Sequence, residues 1–323
     1  MQNVSASPQR ILVIGGGGFI GAHLVAHCAR RGDAVHVVVR PESSLDRLRP
    51  WLSSIRVHEA PLGDRAAMDV VLAAARPGQV FHLAVADRRS AQPDLGDARL
   101  SITDDLANLV NLLAACAAAS APPGAFVRAG SLAEYGTAPA PYDETQRESP
   151  LDSYAAGLVA GTHYARMLCG RLPFPICTAR LALTYGAAQS ERFLLPGLIR
   201  RCLAGVNSFI ARPRDRRDLM HVDDAVAGLL RVADQPVVPV VNLATGFAPS
   251  MAEVSARVCA ATGADPRLVT FGPSRSAGGV PDLRGSGRLA RQQLDWVPQI
   301  GLDEGLARTV AWHRAELQLR EAG

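Results

Sequence analysis

Short runs of β-branched and other apolar residues alternate along this chain with longer segments in which apolar positions recur every three or four residues. The runs Arg10–Ile14, Ala34–Arg40, Ile55–Glu59, Gln79–Ala84, Ala125–Ala129 and Ile176–Leu181 predict strands. They are apolar at successive positions, as strands covered on both faces are. Between them, Phe19–Arg31 predicts a helix closed by Gly32, and Ile102–Ala119 a second with Ile102, Leu106, Leu109 and Leu113 along one stripe. A further helix begins near Ser153. Strand–helix alternation of this kind predicts an α/β fold with a doubly wound parallel sheet. After Tyr185 the texture changes: Pro, Gly and Arg become frequent and strands scarce. Residues 1–185 are therefore expected to form a nucleotide-binding domain, and 186–323 a smaller substrate-side domain. A strand near Val238–Leu243 is expected to return to the main sheet.

The composition adds one sharp fact. All 34 basic residues are arginine, and the chain has no lysine. A lysine Schiff base, a phosphate-loop lysine and a lysine general base are excluded, since each needs a tunable amine. The net charge of +4 comes from 34 cations against 30 acids, and the densest stretch, Arg212–Arg217, reads as a solvated loop. No nucleic-acid partner is expected. Six cysteines lie far apart with no Cys-x-x-Cys pair, which suits reduced, buried thiols in the cytoplasm. His23 and His27 stand four apart on one helix but lack a third ligand at useful spacing, so no metal is expected. Neither a secretory signal nor a run of about 18 apolar residues is read, and no membrane partner is expected.

The segment Ile11–Gly21 joins a buried strand to a helix through Gly15-Gly-Gly-Gly18-Phe-Ile-Gly21. Glycines there let the backbone turn tightly and approach a pyrophosphate, which meets the unpaired N–H groups of the helix start. Gly15, Gly18, Phe19, Ile20 and Gly21 are the expected dinucleotide contacts. The second strand ends at Val39-Arg40 with no carboxylate for a ribose 2′-hydroxyl, and Arg40 offers a clamp for a 2′-phosphate. NADP(H) is thus favoured over NAD(H). Asp64, in Leu62-Gly63-Asp64, either holds the adenine amine or caps the helix over 65–75.

These patterns continue in order with Phe81-His-Leu83-Ala84, Ser131-Leu-Ala-Glu-Tyr135-Gly136, Tyr154, Arg180-Leu-Ala-Leu-Thr-Tyr-Gly186, Arg217-Asp-Leu-Met-His-Val-Asp-Asp224 and Leu294-Asp-Trp-Val-Pro298. The series resembles the extended short-chain dehydrogenase/reductase family, the NAD(P)-dependent sugar-nucleotide epimerases, dehydratases and reductases. The resemblance implies a Rossmann-type domain with Leu83 and Ala84 beside the cofactor, and a C-terminal domain gripping a nucleotide-sugar. It also implies a homodimer built on two helices, here near 101–119 and 154–171. Its catalytic pair falls on Ser131 and Tyr154. Its diphosphate-holding arginines fall on Arg217 and, less directly, on Arg275 beside Ser276. As surface chemistry alone, Arg217 would simply pair with Asp218 or Asp224.

Where the family carries a lysine four residues after the tyrosine, this chain has Leu158. A cation ~4 Å from a phenol at an effective dielectric of ~20 is worth up to about 4 kcal/mol, or roughly three pKa units. Without it only about one phenol in a thousand is ionised near pH 7. Oxidising an alcohol needs the phenolate, whereas reducing a ketone needs only the neutral phenol. The expected reaction is therefore NADPH-dependent reduction of a keto group on a nucleotide-sugar or similar anionic metabolite. An epimerase with an altered base is the second reading, and a catalytically silent NADP-binding protein the third. Glu134 and His163, nearest in sequence to Ser131 and Tyr154, are candidates to replace the lysine. Leu132-Ala133 stand where the family's dehydratases carry Asp-Glu, which argues against dehydration. Leu183 replaces a frequent sugar-nucleotide-contacting Asn, and His82 and His221 are expected to be structural.

Overall fold

The computed structural model describes residues 8–84, 91–273 and 279–322. Seven strands form one sheet: β1 (Arg10–Ile14), β2 (Ala34–Val39), β3 (Ile55–Glu59), β4 (Gln79–His82), β5 (Ala125–Ser131), β6 (Ile176–Leu181) and β7 (Val240–Leu243). Their order is β7-β6-β5-β4-β1-β2-β3. The register is parallel: Val13 faces Val37 on one side and Phe81 on the other, Val37 faces Val57, and Phe81 faces Val127. The α/β doubly wound architecture expected from the alternating pattern is the one observed. Chain order reverses between β1 and β4, and such a switch point opens a crevice at the C-terminal ends of the strands.

The flanking helices follow local rules, with one departure. Helix α1 (Phe19–Arg30) ends with Gly32 at φ 82°, the left-handed position a glycine fills without steric cost. Helix α2 (Arg65–Ala75) is capped by Asp64, whose carboxylate accepts from the Ala67 N–H at 3.0 Å. The helix-cap alternative for Asp64 is thus the one the structure displays. Helix α3 (Gly96–Ala118) starts earlier than expected and carries a π-helical turn over Ser101–Leu106. The wider turn shifts the helical phase. Leu109 and Leu113 stay in the core while Ile102 turns outward at 63% exposure, so the single apolar stripe is broken. By length and composition α3 could cross a bilayer, although no apolar run was read there. Core helices of soluble proteins share that property, and Leu109, Leu112, Leu113 and Cys116 pack with Leu12, Met68, Phe126 and Ile176. Helix α4 (Ser153–Leu168) is capped by Asp152, which accepts from the Ala155 N–H at 2.8 Å.

Contacts group the chain into two compact units. One comprises 1–130, 152–179 and 229–241; the other comprises 131–151, 180–228 and 242–323. The division is interleaved, not a single boundary after Tyr185, because β5, β6 and β7 each lead from the first unit into a segment of the second.

The second unit has its own core of Tyr185, Leu198, Ile199, Val254, Val258, Leu306 and Val310. Short parallel ladders join Leu183–Tyr185 to Leu219–His221, Ser208–Ile210 to Val269–Phe271, and Arg216–Arg217 to Asp282–Leu283. Buried acids pin its loops. Asp218 accepts from the N–H groups of Thr245 and Gly246 (both 3.0 Å), and Asp224 from those of Gln299 and Ile300 (both 2.9 Å). Arg180 is fully buried and balanced by two acids. It donates to Glu134 at 2.9 Å and to Glu148 at 2.5 Å, with its guanidinium 4.5 Å from the Tyr135 ring centre.

Two stability predictions follow from these buried charges. His36 on β2 stacks on His58, and burial, reinforced by the charges of His58 and Arg56, pushes its pKa down to about 4. Below pH 6.5 the unfolded chain protonates this imidazole while the folded one does not. Stability is therefore lost as pH falls from 6.5 towards 4, at about 1.4 kcal/mol per pH unit. Urea titrations at pH 7 and pH 4.5 are expected to show this loss reduced by about 2 kcal/mol in His36→Val; an identical loss in both proteins would contradict it. Arg180→Met strands Glu134 and Glu148 and is expected to cost about 3–5 kcal/mol. In Arg180→Met/Glu134→Gln, where one stranded charge is gone, the urea midpoint should partly recover.

Candidate active site

The β1–α1 loop is built by close backbone approach. Gly15, at φ 81°, donates to Val38 O at 3.0 Å and accepts from the Gly18 N–H at 3.0 Å. A Cβ on Gly15 would stand 2.7 Å from Ala84 N, and one on Gly21 would collide with the carbonyl of Gly15. Both glycines are therefore required, one by the β4 exit and one by the start of α1. Leu83 N–H donates to Ile14 O at 2.9 Å, which fixes Leu83 and Ala84 against the same loop. The expected contacts Gly15, Gly18, Phe19, Ile20, Gly21, Leu83 and Ala84 thus gather at the β1/β4 switch point. The N-cap Gly18 has no side-chain cap, and the first turn of α1 carries no acid. Its N–H groups and dipole suit an anion, so these residues fit a dinucleotide pyrophosphate.

Beyond β2, Arg40 is exposed, and Arg47 from the following segment donates to Gly17 O at 3.4 Å. Cations stand at this corner and no carboxylate follows β2 directly.

Tyr154 sits half-buried in the first turn of α4. It lines a small pocket with His82 and Ala84 from β4 and its exit, Asp105, Leu106 and Leu109 from α3, Arg128 from β5, and Gly157, Leu158 and Gly161 from α4. The structure therefore brings Tyr154 together with Ala84 of the glycine-loop crevice. Leu158, four residues after Tyr154, is 3% exposed. His82 is fully enclosed and stacks 6.2 Å from Phe126. Burial, aided by the Arg128 charge, pushes its pKa down to about 3, so it is neutral at physiological pH.

Ser131 ends β5 and belongs to the second unit. Its Oγ accepts from the Ala133 N–H at 3.1 Å, which leaves its own hydrogen to donate. Its backbone N–H donates to Glu134 at 3.1 Å, and Arg180 holds that carboxylate. Glu134 therefore positions Ser131 and does not stand in for a cation. His163, the other candidate replacement, is exposed on α4. Arg217 donates to Asp215 at 2.7 Å, not to Asp218 or Asp224. Arg214 and Arg216 are the cations of the same run that line an open groove with Ser250, Glu253 and Phe271. Arg275 lies outside the described residues. His221 is buried against Tyr185, ring centres 5.6 Å apart.

Sequence reasoning passed over Arg128, Arg214 and Arg216. The signal for Arg128 was a charged residue inside a strand read as apolar on both faces. For the other two it was the arginine run, read only as solvated.

Comparison with known proteins agrees with this geometry. The model of the NAD dependent epimerase/dehydratase family matches residues 11–244. The chain is 31% identical over 333 positions to the UDP-glucose 4-epimerase of Mycolicibacterium smegmatis, covering 96% of this chain and 100% of that one. The solved structure of Thermotoga maritima UDP-glucose 4-epimerase with UDP-glucose superposes with a TM-score of 0.86 at 25% identity, covering 95% and 99% of the two chains. That of the Thermus thermophilus UDP-glucose 4-epimerase complex with NAD gives a TM-score of 0.82 at 25% identity, covering 94% and 99%. With its glycine loop, switch-point crevice and family match spanning most of the sequence, the chain belongs to the NAD-dependent epimerase/dehydratase family.

Proposed function

We propose that this protein is an NAD(P)-dependent epimerase of a nucleotide-sugar, inverting a ring carbon by oxidising its alcohol and reducing the ketone on the other face. The observation that carries the reading is the placement of Tyr154, which lines one pocket with Ala84 of the glycine-loop crevice. The full-length likeness to UDP-glucose 4-epimerases supports this reaction over the simple reduction favoured by the missing lysine.

NAD(P) bound in the crevice supplies a nicotinamide that accepts and returns a hydride. The chain's own residues do the rest. The N–H groups of Phe19, Ile20 and Gly21 hold pyrophosphate oxygens, and Arg40 takes a 2′-phosphate, which makes NADP(H) the preferred cofactor. Tyr154 takes the alcohol proton as phenolate and returns it as phenol. Ser131 donates its O–H to a substrate oxygen. Arg214, Arg216 and Arg217 face the anionic part of the substrate. Leu132, buried in the core, and Ala133 supply no acid–base pair for water loss. The six free thiols suit a cytoplasmic protein.

Reduction of a keto-sugar remains the second reading, because Leu158 offers no helix cation and a neutral phenol still donates. A homodimer is proposed through α3 and α4, which expose Ile102 (63%), Tyr164 (44%) and Met167 (54%).

Incubating the purified protein with UDP-glucose, UDP-galactose and their N-acetyl counterparts is expected to give the epimeric sugar by proton NMR. Tyr154→Phe should slow conversion by about 100-fold or more. No epimer from any of these, together with NADPH consumption on a keto-sugar nucleotide, would favour reduction. Arg40→Ala should weaken NADP⁺ binding about tenfold, equivalent to ~1.4 kcal/mol, with NAD⁺ affinity nearly unchanged; equal losses for both would remove the NADP assignment. Light scattering should give twice the chain mass, and Ile102→Arg/Met167→Glu the single mass.

A further inference from the structure

The position at which the family carries a lysine is Leu158, yet a cation lies within one helical turn of it, delivered from a different element. Arg128 rises from β5 and is 4% exposed. Its guanidinium donates to Leu158 O and to Thr162 Oγ1, both at 3.1 Å. It passes beneath α4 through a gap only glycine leaves. A Cβ on Gly161 would collide with Nη2 and stand 2.7 Å from Cζ. Arg128 and Tyr154 line the same pocket.

We propose that Arg128 supplies from the strand the fixed positive charge that the family draws from the helix lysine, favouring the phenolate of Tyr154 while tying down the Tyr154–Leu158 turn. Arg128 is in this sense a positioning residue. The inference rests on the reading of Tyr154 as the proton carrier. The titratable and charged groups facing this pocket come from three other elements besides α4. His82 of β4 is neutral, Asp105 of α3 is the opposing anion, and Arg128 of β5 is the permanent cation among the described residues. Helix α4 contributes only Gly157, Leu158 and Gly161 beside Tyr154 itself. A guanidinium does not lose its proton in any accessible pH range, so the charge persists where a lysine would titrate. It also makes the oxidation half of epimerisation compatible with a chain that has no lysine.

The test follows the phenolate absorbance of Tyr154 during pH titration of the purified full chain, isolated by subtracting Tyr154→Phe. Burial pushes Tyr135 and Tyr142 up to about 12 and Tyr185 higher still, and the subtraction removes the contribution of the exposed Tyr164. Arg128→Gln keeps a donor for Leu158 O but removes the charge. It is expected to raise the Tyr154 midpoint by about one pH unit or more. Arg128→Lys should leave it within about half a unit, and Asp105→Asn should lower it. Leu158→Lys added to Arg128→Gln should restore the low midpoint, which a merely structural defect would not allow. The acidic limb of the kcat/KM pH profile should move with the phenol, since the alcohol proton is taken by the phenolate. An unchanged midpoint in folded Arg128→Gln would overturn the proposal. Should that variant fail to fold, Leu158→Lys in the native background decides. Little further shift is expected where a cation is already present, and a fall of about two units or more would show that none was acting. Full activity in Tyr154→Phe would instead defeat the reading of Tyr154, and the phenol titration would still report on Arg128.

Discussion

The close backbone approach at the β1/β4 switch point is the constraint on which the rest of the first unit depends. Gly15 donates into β2 through Val38 O while Leu83 donates back to Ile14 O, so three strands and the loop between them are locked by main-chain bonds. No side chain fits between Gly15 and Ala84, and none between Gly21 and Gly15. That fit aims the start of α1 at the crevice, leaves its N–H groups open, and sets Ala84 at the mouth of the pocket that Tyr154 lines. Replacing either glycine moves backbone rather than a side-chain tip, which a close-packed interior accommodates poorly.

Charge is the second organising theme, and arginine carries all of it on the positive side. Both units bury an arginine, Arg128 in one and Arg180 in the other. Arg180 is balanced by two carboxylates and lies against a tyrosine face, and through Glu134 it fixes the Ser131 turn. Arg128 donates to a helix carbonyl and a threonine hydroxyl, which anchor its guanidinium against the helix that carries Tyr154. A buried guanidinium stays ionised where an ammonium can discharge, so each arginine commits its site to one electrostatic state.

Much of the fold was legible because its signals are local. Apolar runs named all seven strands of the sheet, a helix cap was one of the two roles read for Asp64, and Gly32 marked the end of α1. What was misread depended on partners distant in sequence. The phase of α3 turns on a π-helical turn, which leaves no mark in the apolar spacing, and Ile102 consequently faces outward. The interleaved units reflect where the chain goes after β5, β6 and β7, and composition does not record that. Arg128 was hidden by its strand, since only the helix crossing above it, with glycine at 161, reveals that a cation fits there. For Arg217 the surface alternative to a diphosphate contact named Asp218 or Asp224 by nearness, but both acids accept from loop amides and Asp215 takes the guanidinium. Glu134 was read as a possible partner of Tyr154, and the buried Arg180 claims it instead.

The absence of lysine first separated oxidation from reduction, and the geometry around Arg128 brings the two together again. The most direct measurement is stopped-flow absorbance at 340 nm after mixing the protein, carrying oxidised cofactor, with a UDP-sugar at neutral pH. The account predicts a transient rise that settles as the epimers equilibrate and that Tyr154→Phe abolishes. A flat trace with every UDP-sugar, alongside steady loss of 340 nm absorbance when NADPH and a keto-sugar nucleotide are supplied, would contradict it.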